Sequence, residues 1–302
     1  MKVPVISIVI INYNVRDLIL KCIDSIYKFT TEAEDIEIIV FDNNSSDNSV
    51  VEIEKRFPHV NLIASSINLG FPKANNECFK IAKGDYIFML NPDTELIEDS
   101  IKLLKNYLLV NPNIKLVAPQ LLNSDFSIQD SCWKFPKIKY TMADDFYLKS
   151  LFPERKYKNK SFEFPFEVES ASGAALFFNK NLINEIGDLD ENLFWIEDID
   201  FCYRLKQKKG KIIYNPDTKI IHHIGQSAKK NYNISISNQI INKIKFFKKH
   251  YDPFSIYLII THSLINTMLK LFIFLIISPF SKIHYLKFKA YLYTIPQIIK
   301  VI

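Results

Sequence analysis

The stretch Ser7-Ile8-Val9-Ile10-Ile11-Asn12-Tyr13-Asn14 decides the fold. Its apolar part begins at Val5, is rich in β-branched residues and does not alternate with polar ones. That is the pattern of a strand covered on both faces, and the polar and turn residues at its end close it. The run is too short for a signal peptide and lacks a small-residue cleavage site. Similar runs stand at residues 36–41, 60–64, 86–90 and 115–118. Segments with helical periodicity lie between and around them, at 15–29, 49–57, 72–82 and 99–110. Asp47 is placed to cap the second of these helices, and Pro72 suits the first turn of the third. Such alternation predicts an α/β fold, an open, mostly parallel, doubly wound sheet flanked by helices. Residues 121–170 are irregular and aromatic-rich and read as a substrate-side insertion. A strand at 174–178, a helix at 196–208 and two short strands at 211–214 and 218–222 follow.

In open α/β sheets ligands bind beyond the carboxyl ends of the strands, so the residues after each strand carry the chemistry. The first strand ends in Asn12-Tyr13-Asn14 and the second in Asp42-Asn43-Asn44-Ser45-Ser46-Asp47. A strand-end Asp can accept from base N–H or ribose hydroxyls, and a Tyr offers a stacking face. Polar turns that cap the next helix are the competing explanation. The fourth strand runs into Asn91-Pro92-Asp93-Thr94-Glu95, where a carboxylate could hold a hard divalent cation and, through it, a diphosphate. A phosphatase would need a nucleophilic Asp at position 91, which Asn91 cannot supply.

The sharpest cluster is Trp195-Ile196-Glu197-Asp198-Ile199-Asp200. Three carboxylates within four positions repel one another, which can raise one pKa and leave a usable general base. A helix N-terminus also attracts such residues through its dipole. His222-His223-Ile224-Gly225-Gln226-Ser227 follows the last strand, with imidazoles able to complete a metal site or touch phosphate.

Composition sets the frame. With 302 residues, 48% apolar and 24% charged, the chain can bury a sizeable core, and its 24 Phe and 15 Tyr exclude disorder. Cys22, Cys78, Cys132 and Cys202 are scattered, so neither a disulfide framework nor a zinc site is indicated, and a reducing cytosol is the default. The net charge of +5 hides an asymmetry: residues 1–202 sum to −10 and residues 203–302 to +15. From Ala228 onward 11 Lys stand against Asp252 alone. Residues 256–278 are apolar but interrupted by His262, Asn266 and Lys270 at four-residue spacing, with Ser263 and Thr267 beside them. That makes one polar stripe and a wide apolar face on a helix, favouring an interfacial helix over a clean transmembrane span. Basic residues nearby add attraction to anionic lipid. An oligomer-forming helical pair is the competing reading. Nucleic acid is excluded as a partner, because the basic residues alternate with long aliphatic runs.

Taken in order, the motifs resemble glycosyltransferase family 2, in its non-processive, rhamnosyltransferase-like branch. The resemblance covers residues 4–228. It rests on Ser7-Ile8-Val9-Ile10-Ile11-Asn12-Tyr13-Asn14, Asp42-Asn43-Asn44-Ser45-Ser46-Asp47, Asn68-Leu69-Gly70-Phe71, Asn75-Asn76, Asn91-Pro92-Asp93, Ser172-Gly173-Ala174-Ala175, Glu197-Asp198-Ile199-Asp200-Phe201-Cys202-Tyr203-Arg204 and His222-x-x-Gly225-x-Ser227. It implies a GT-A-type catalytic domain at residues 1–227 and a helical, membrane-associating segment at 228–302. The implied activity is inverting transfer of one sugar, from dTDP-rhamnose or a UDP-hexose, to a hydroxyl of a lipid-linked glycan in cell-surface polysaccharide synthesis. The implied location is the cytoplasmic face of the cell membrane.

By the same resemblance, Tyr13 and Asp42 hold base and ribose. Asn68, Gly70 and Asn76 shape the donor pocket, and Asn91 and Gly173 count among the nucleotide-sugar-binding positions. Asp93 and His222 are the residues for Mg²⁺ or Mn²⁺, with His223 as the competing histidine. Asp198 is the catalytic base, and Trp195 and Glu197 line the acceptor side. Asn91 departs from the family, where an Asp opens the D-x-D motif, and Cys78 stands where many relatives have Gly. The Q-x-x-R-W motif of processive synthases is absent, which favours single-sugar addition. A non-catalytic nucleotide-sugar- or glycan-binding subunit with the same fold is the alternative that Asn91 suggests. A nucleotidyltransferase would need a Gly-rich loop after the first strand, and Asn12-Tyr13-Asn14-Val15-Arg16 is not one.

Overall fold

The computed structural model describes residues 5–31, 35–145, 157, 162–223 and 232–302. Ile224, Gly225, Gln226 and Ser227, noted in the sequence, lie outside the described residues. The chain divides into two compact units. Among the described residues the first takes in 5–135, 162–191 and 197–223, and the second 136–145, 157, 192–196 and 232–302.

The first unit alternates strands and helices as the periodicity requires. They are β1 (Ile6–Asn12), α1 (Arg16–Phe29), β2 (Ile36–Asp42), α2 (Ser49–Arg56), β3 (Asn61–Ala64), α3 (Phe71–Ile81), β4 (Tyr86–Leu90), β5 (Thr94–Leu96), α4 (Ser100–Val110) and β6 (Ile114–Leu122). There follow β7 (Cys132–Trp133), α5 (Ile138–Asp145, part of the second unit), β8 (Phe166–Glu167), β9 (Ser170–Ala171), β10 (Ala175–Asn179), α6 (Asn181–Ile186), α7 (Glu197–Gln207) and β11 (Lys211–His222). The main sheet runs β3-β2-β1-β4-β10-β6-β11-β5, with β8 pairing β11, and β7 pairs β9 separately. Strands β3, β2, β1 and β4 are parallel; β10 is antiparallel to β4 and β6, and β5 to β11. The chain builds outward from β1 to β2 and β3, then returns to the other side of β1 for β4. That reversal is a topological switch point, and in open α/β sheets ligands bind outside the carboxyl ends of the strands at such a point.

All seven residues of β1 are buried, which is why its apolar run has no polar face. The one hydroxyl among them, Ser7, donates to Glu37 and accepts from Gly84 N at 2.8 Å. A Cβ on Gly84 would lie 2.6 Å from Ser7 N, so only glycine fits that crossing. Phe177 of β10 stacks on Tyr86 and meets Phe88 edge-on, locking the antiparallel strand to β4.

Two local expectations need correction. Asp47 is not the N-cap residue of α2; Asn48 is, in the left-handed conformation, but the Asp47 carboxylate still takes Ser49 N at 3.1 Å and also Arg16 N at 2.8 Å. It therefore ties the starts of α1 and α2 together. The two short strands expected at 211–214 and 218–222 are one strand, β11, whose register against β6 jumps between Asn215 and Lys219. Pro216 sits in that irregular stretch, where a residue without an N–H interrupts pairing at least expense.

The second unit is helical: α5, α8 (Tyr232–His250), α9 (Pro253–Ile277), a 3₁₀ turn (Ser278–Phe280) and α10 (Lys282–Val301). Asp252 caps α9 by accepting from Ser255 N at 3.0 Å. The polar stripe of α9 is turned inward: His262, Ser263, Asn266 and Thr267 are buried. His262 Nε2 meets Asp145 Oδ2 of α5 at 2.8 Å, and Lys270 lies 3.5 Å from Asp145 Oδ1. The apolar face, with Ile265, Met268, Leu269, Phe272, Ile273 and Ile276, is exposed. Burial by itself raises the Asp145 pKa. The bond from His262 and the charges of Lys243 and Lys270 outweigh it and leave the carboxyl below its usual range.

Candidate active site

Strand register gathers the motifs at one end of the first unit. At the nucleotide end, Asn12 closes β1 and Asp42 closes β2, paired in register, and both are buried. Asp42 accepts from Ser45 N at 3.1 Å and lies 3.4 Å from Asn12 Nδ2, so its carboxylate anchors its own turn. Ser45 Oγ in turn accepts from Asn14 N at 2.9 Å, knitting the two loops together. Tyr13 projects from this pair of loops and is 44% exposed, a free face for stacking. Asn68 Oδ1 accepts from Gly70 N at 2.9 Å, while Asn43 Oδ1 accepts from Leu69 N at 2.8 Å. Gly70 begins α3 at φ +81° with open space where a Cβ would stand. Asn76 is buried, and its amide is committed to the backbone of Leu189 on both sides, at 2.9 and 3.0 Å. It shapes this region by holding the 189–191 loop.

The second half of the site grows from β4. Leu90 faces Ala175 of β10, and Asn91 N donates to Ala174 O at 2.9 Å. This sets Gly173 next to the Asn91-Pro92-Asp93 turn. Gly173 N donates to Asp198 Oδ2 at 2.8 Å, and Ile199 N donates to Asp198 Oδ1 at 2.7 Å. A Cβ on Gly173 would come within 3.2 Å of Asp198 Cβ, so the glycine lets the carboxylate approach the strand. Gly173 is thus the seat of Asp198. Asp198 is partly accessible, and loss of water around it raises its pKa against the opposing pull of those two amides. Asp200 behaves differently: fully buried, it accepts from Arg204 Nε at 2.8 Å, and that guanidinium also bonds Gly187 O and Asp188 O. Crowding at the start of α7 resolves into one carboxylate bound to a cation and one held only by amides. Glu197 is buried in the same turn.

Strand β11 delivers the histidines. His222 pairs with Thr94 of β5, and His223 N donates to Asp93 O at 2.8 Å. His222 Nε2 lies 3.3 Å from Asp93 Oδ1. His223 likewise has both ring nitrogens engaged, with Ser124 Oγ at 2.7 Å and Glu95 Oε2 at 3.2 Å. Trp195 lies in the 192–196 segment of the second unit, exposed, at φ +73° and beside the ring of Phe194.

A model of the family described as Glycosyl transferase family 2 matches residues 7–186. The chain belongs to this family. Poly(ribitol-phosphate) beta-glucosyltransferase of Bacillus spizizenii is 26% identical to the family-2 chain over 261 residues, 82% of this chain and 40% of that protein. N-acetylglucosaminyl-diphospho-decaprenol L-rhamnosyltransferase of Mycobacterium tuberculosis is 24% identical over 213 residues, 64% and 68% of the two chains. Among solved structures, GalNAc-T7 with UDP, GalNAc and Mn²⁺ superposes with a TM-score of 0.61 at 16% identity, over 80% of this chain and 48% of that one. The chain therefore spans less than half of the Bacillus relative and of GalNAc-T7. The fold is of the GT-A type. Tyr13, Asp42, Asn68, Gly70, Asn76, Asn91, Asp93 and Gly173 fall inside the family match; Trp195, Glu197, Asp198 and His222 lie beyond it.

The donor atoms fit a divalent cation. Two adjacent ligands at about 2.1 Å on an octahedral ion stand about 3 Å apart, close to the 3.3 Å between His222 Nε2 and Asp93 Oδ1. Asn91 Oδ1 is buried with no hydrogen-bond partner among the described residues, an oxygen donor still to be satisfied. An amide oxygen keeps the coordinating ability of the Asp it replaces and drops the charge. No group of three or more His, Cys, Asp and Glu side chains suited to a metal occurs among the described residues, so protein ligands alone do not complete a shell.

Proposed function

We propose that this family-2 chain transfers a single sugar, with inversion, from a nucleotide-sugar to a hydroxyl of a lipid-linked glycan. The observation that carries the reading is Asp198, amide-held and partly desolvated, seated through Gly173 beside the strand end that bears Asn91 and Asp93. Tyr13 stacks on the base, and Asp42 with the loop around Asn68 and Gly70 frames ribose and sugar. Asp93, His222 and the Asn91 oxygen hold Mn²⁺ or Mg²⁺, which when bound neutralises charge on the departing nucleoside diphosphate. Asp198 takes the proton of the acceptor hydroxyl as that oxygen attacks the anomeric carbon. Its raised pKa, caused by burial, makes its ionised form a stronger base. Glu197 and Trp195 are the acceptor-side residues of this reading. The left-handed backbone of so bulky a residue as Trp195 supports a role, since such strain persists where function needs it.

The decaprenol-linked substrate in the name of the mycobacterial relative supports a lipid-linked acceptor, and dTDP-rhamnose or a UDP-hexose is the proposed donor. Residues 1–227 are the proposed catalytic domain and 228–302 the membrane-associating segment, at the cytoplasmic face. The segment Pro253–Phe280 is long and apolar enough to cross a membrane. Its exposed apolar face beside exposed Lys282 and Lys289 supports binding at an anionic surface. The test is release of nucleoside diphosphate from dTDP-rhamnose and UDP-hexoses with a polyprenyl-diphosphate-linked acceptor, with and without EDTA. Turnover that EDTA abolishes and Mn²⁺ restores is expected. Binding of donor without turnover on any such acceptor would leave a sugar-nucleotide-binding subunit instead.

A further inference from the structure

The hydrogen-bond chain behind His222 has a fixed direction. Gln129 is buried; its Oε1 lies 2.7 Å from His222 Nδ1, and its Nε2 lies 3.1 Å from both His222 O and Asn123 Oδ1. A backbone carbonyl only accepts, so the side of the Gln129 amide facing His222 O must be the nitrogen. Asn123 agrees: its Nδ2 donates at 2.9 Å to Ser127 Oγ, which itself donates at 2.6 Å to the acceptor-only carboxylate of Asp125. With its nitrogen so placed, Gln129 presents an oxygen to His222 Nδ1, and that nitrogen must carry the proton. In the neutral ring the lone pair then belongs to Nε2, which faces Asp93 Oδ1 at 3.3 Å. In that neutral tautomer two acceptors face one another, an arrangement that a cation bound between them satisfies.

We propose that Gln129 is a positioning residue that holds His222 in its Nδ1–H tautomer, so that Nε2 and Asp93 together face a divalent cation. The proposal rests on the metal-binding reading above and adds a difference between the adjacent histidines: the Gln129 oxygen fixes the His222 tautomer, whereas the Ser124 hydroxyl at His223 Nδ1 can donate or accept. Outer-shell partners of this kind set the orientation and basicity of a ligating imidazole, and losing one lowers metal affinity by about 10- to 100-fold. Nothing in the spacing of the sequence points to Gln129, which stands 93 positions from His222.

The test uses the full chain labelled with ¹⁵N-histidine, free of metal and at mildly alkaline pH, where a free imidazole is neutral. Long-range ¹H–¹⁵N spectra are expected to show the Nδ1–H pattern for His222, identified by its loss in His222→Gln. The pattern should shift toward Nε2–H in Gln129→Leu, with the melting temperature confirming that the variant stays folded. Mn²⁺ titrations followed by electron paramagnetic resonance, with nucleoside diphosphate present, should show about 10- to 100-fold weaker binding in Gln129→Leu. An Nε2–H pattern in the wild type, or Gln129→Leu with unchanged tautomer and Mn²⁺ affinity, overturns the positioning role. A wild-type protein that binds no Mn²⁺ overturns the metal reading itself, and the proposal with it.

Discussion

His222 with Asp93 and His262 with Asp145 are the same two side chains in two settings. In the helical unit, Asp145 meets His262 at 2.8 Å and has Lys270 at 3.5 Å, so its charge is answered within the protein. In the sheet unit, Asp93 and His222 stand 3.3 Å apart at a strand end, beside an Asn91 oxygen with no partner among the described residues. The first pair is complete and acts as a clasp between α5 and α9. On the proposed reading the second pair faces a divalent cation instead. A carboxylate–imidazole pair is thus read by its surroundings: neighbouring cations mark a structural pair, and a nearby unsatisfied oxygen supports the ligand-site reading.

The widest separation between the two regions comes from Asp198→Asn. Transfer should fall by about 10³-fold or more, with nucleotide-sugar affinity by calorimetry nearly unchanged. Its thermal stability should fall modestly, since the Asn amide nitrogen faces one of the two backbone N–H groups that the carboxylate accepted. Wild-type turnover in this variant would remove Asp198 as the base. Asp93→Ala should lower transfer by about 10²-fold and shift the Mn²⁺ requirement to higher concentration, at constant melting temperature. Asp145→Ala should do the reverse, destabilising the helical unit by about 3 kcal/mol while leaving kcat/KM of the folded protein in place. A kinetic defect without destabilisation there would erase the distinction. Gly173→Ala should slow transfer by about tenfold, because its Cβ meets a carboxylate that must keep its place; unchanged kinetics would show that Asp198 tolerates the push.

The pH dependences run in opposite senses. Asp145, whose folded pKa is lowered, contributes stability that is present above the ordinary value of 3.8 and lost as pH falls through the lower folded value. The melting-temperature gap between wild type and Asp145→Asn should therefore close in acid. Asp198, whose pKa is raised, must be ionised to act, so kcat/KM should fall tenfold per unit once pH drops below a midpoint higher than that of a free carboxylate. An acid limb at or below the free-carboxylate range would contradict the burial that raises it.

Much of this was legible in the chain itself, for physical reasons that also explain the misses. Strands β1, β2 and β4 are buried on both faces, so their apolar runs announce them, and strand-end chemistry follows because ligands gather there. Asp198 stood out through the crowding around it. The tie from Asn76 to Leu189, the support of His222 by Gln129 and the joining of two strand segments into β11 depend on partners about 100 residues away, and local pattern carries no trace of them. For α9 the spacing revealed a stripe but not its direction: a helical period fixes which residues share a face, never which face meets protein.

That direction has a practical side. In most soluble proteins, replacing polar residues under a helix with leucine is a route to stability, and here it would dissolve the clasp of His262 on Asp145. Lysine at exposed Phe272, Ile273 or Ile276, ordinarily a harmless surface edit, should leave the helix folded and, on the proposed membrane-associating reading, weaken its binding to anionic vesicles. Anyone preparing this protein in quantity should treat α9 as a helix whose polar stripe is inside and whose apolar face is exposed, and choose mutations accordingly.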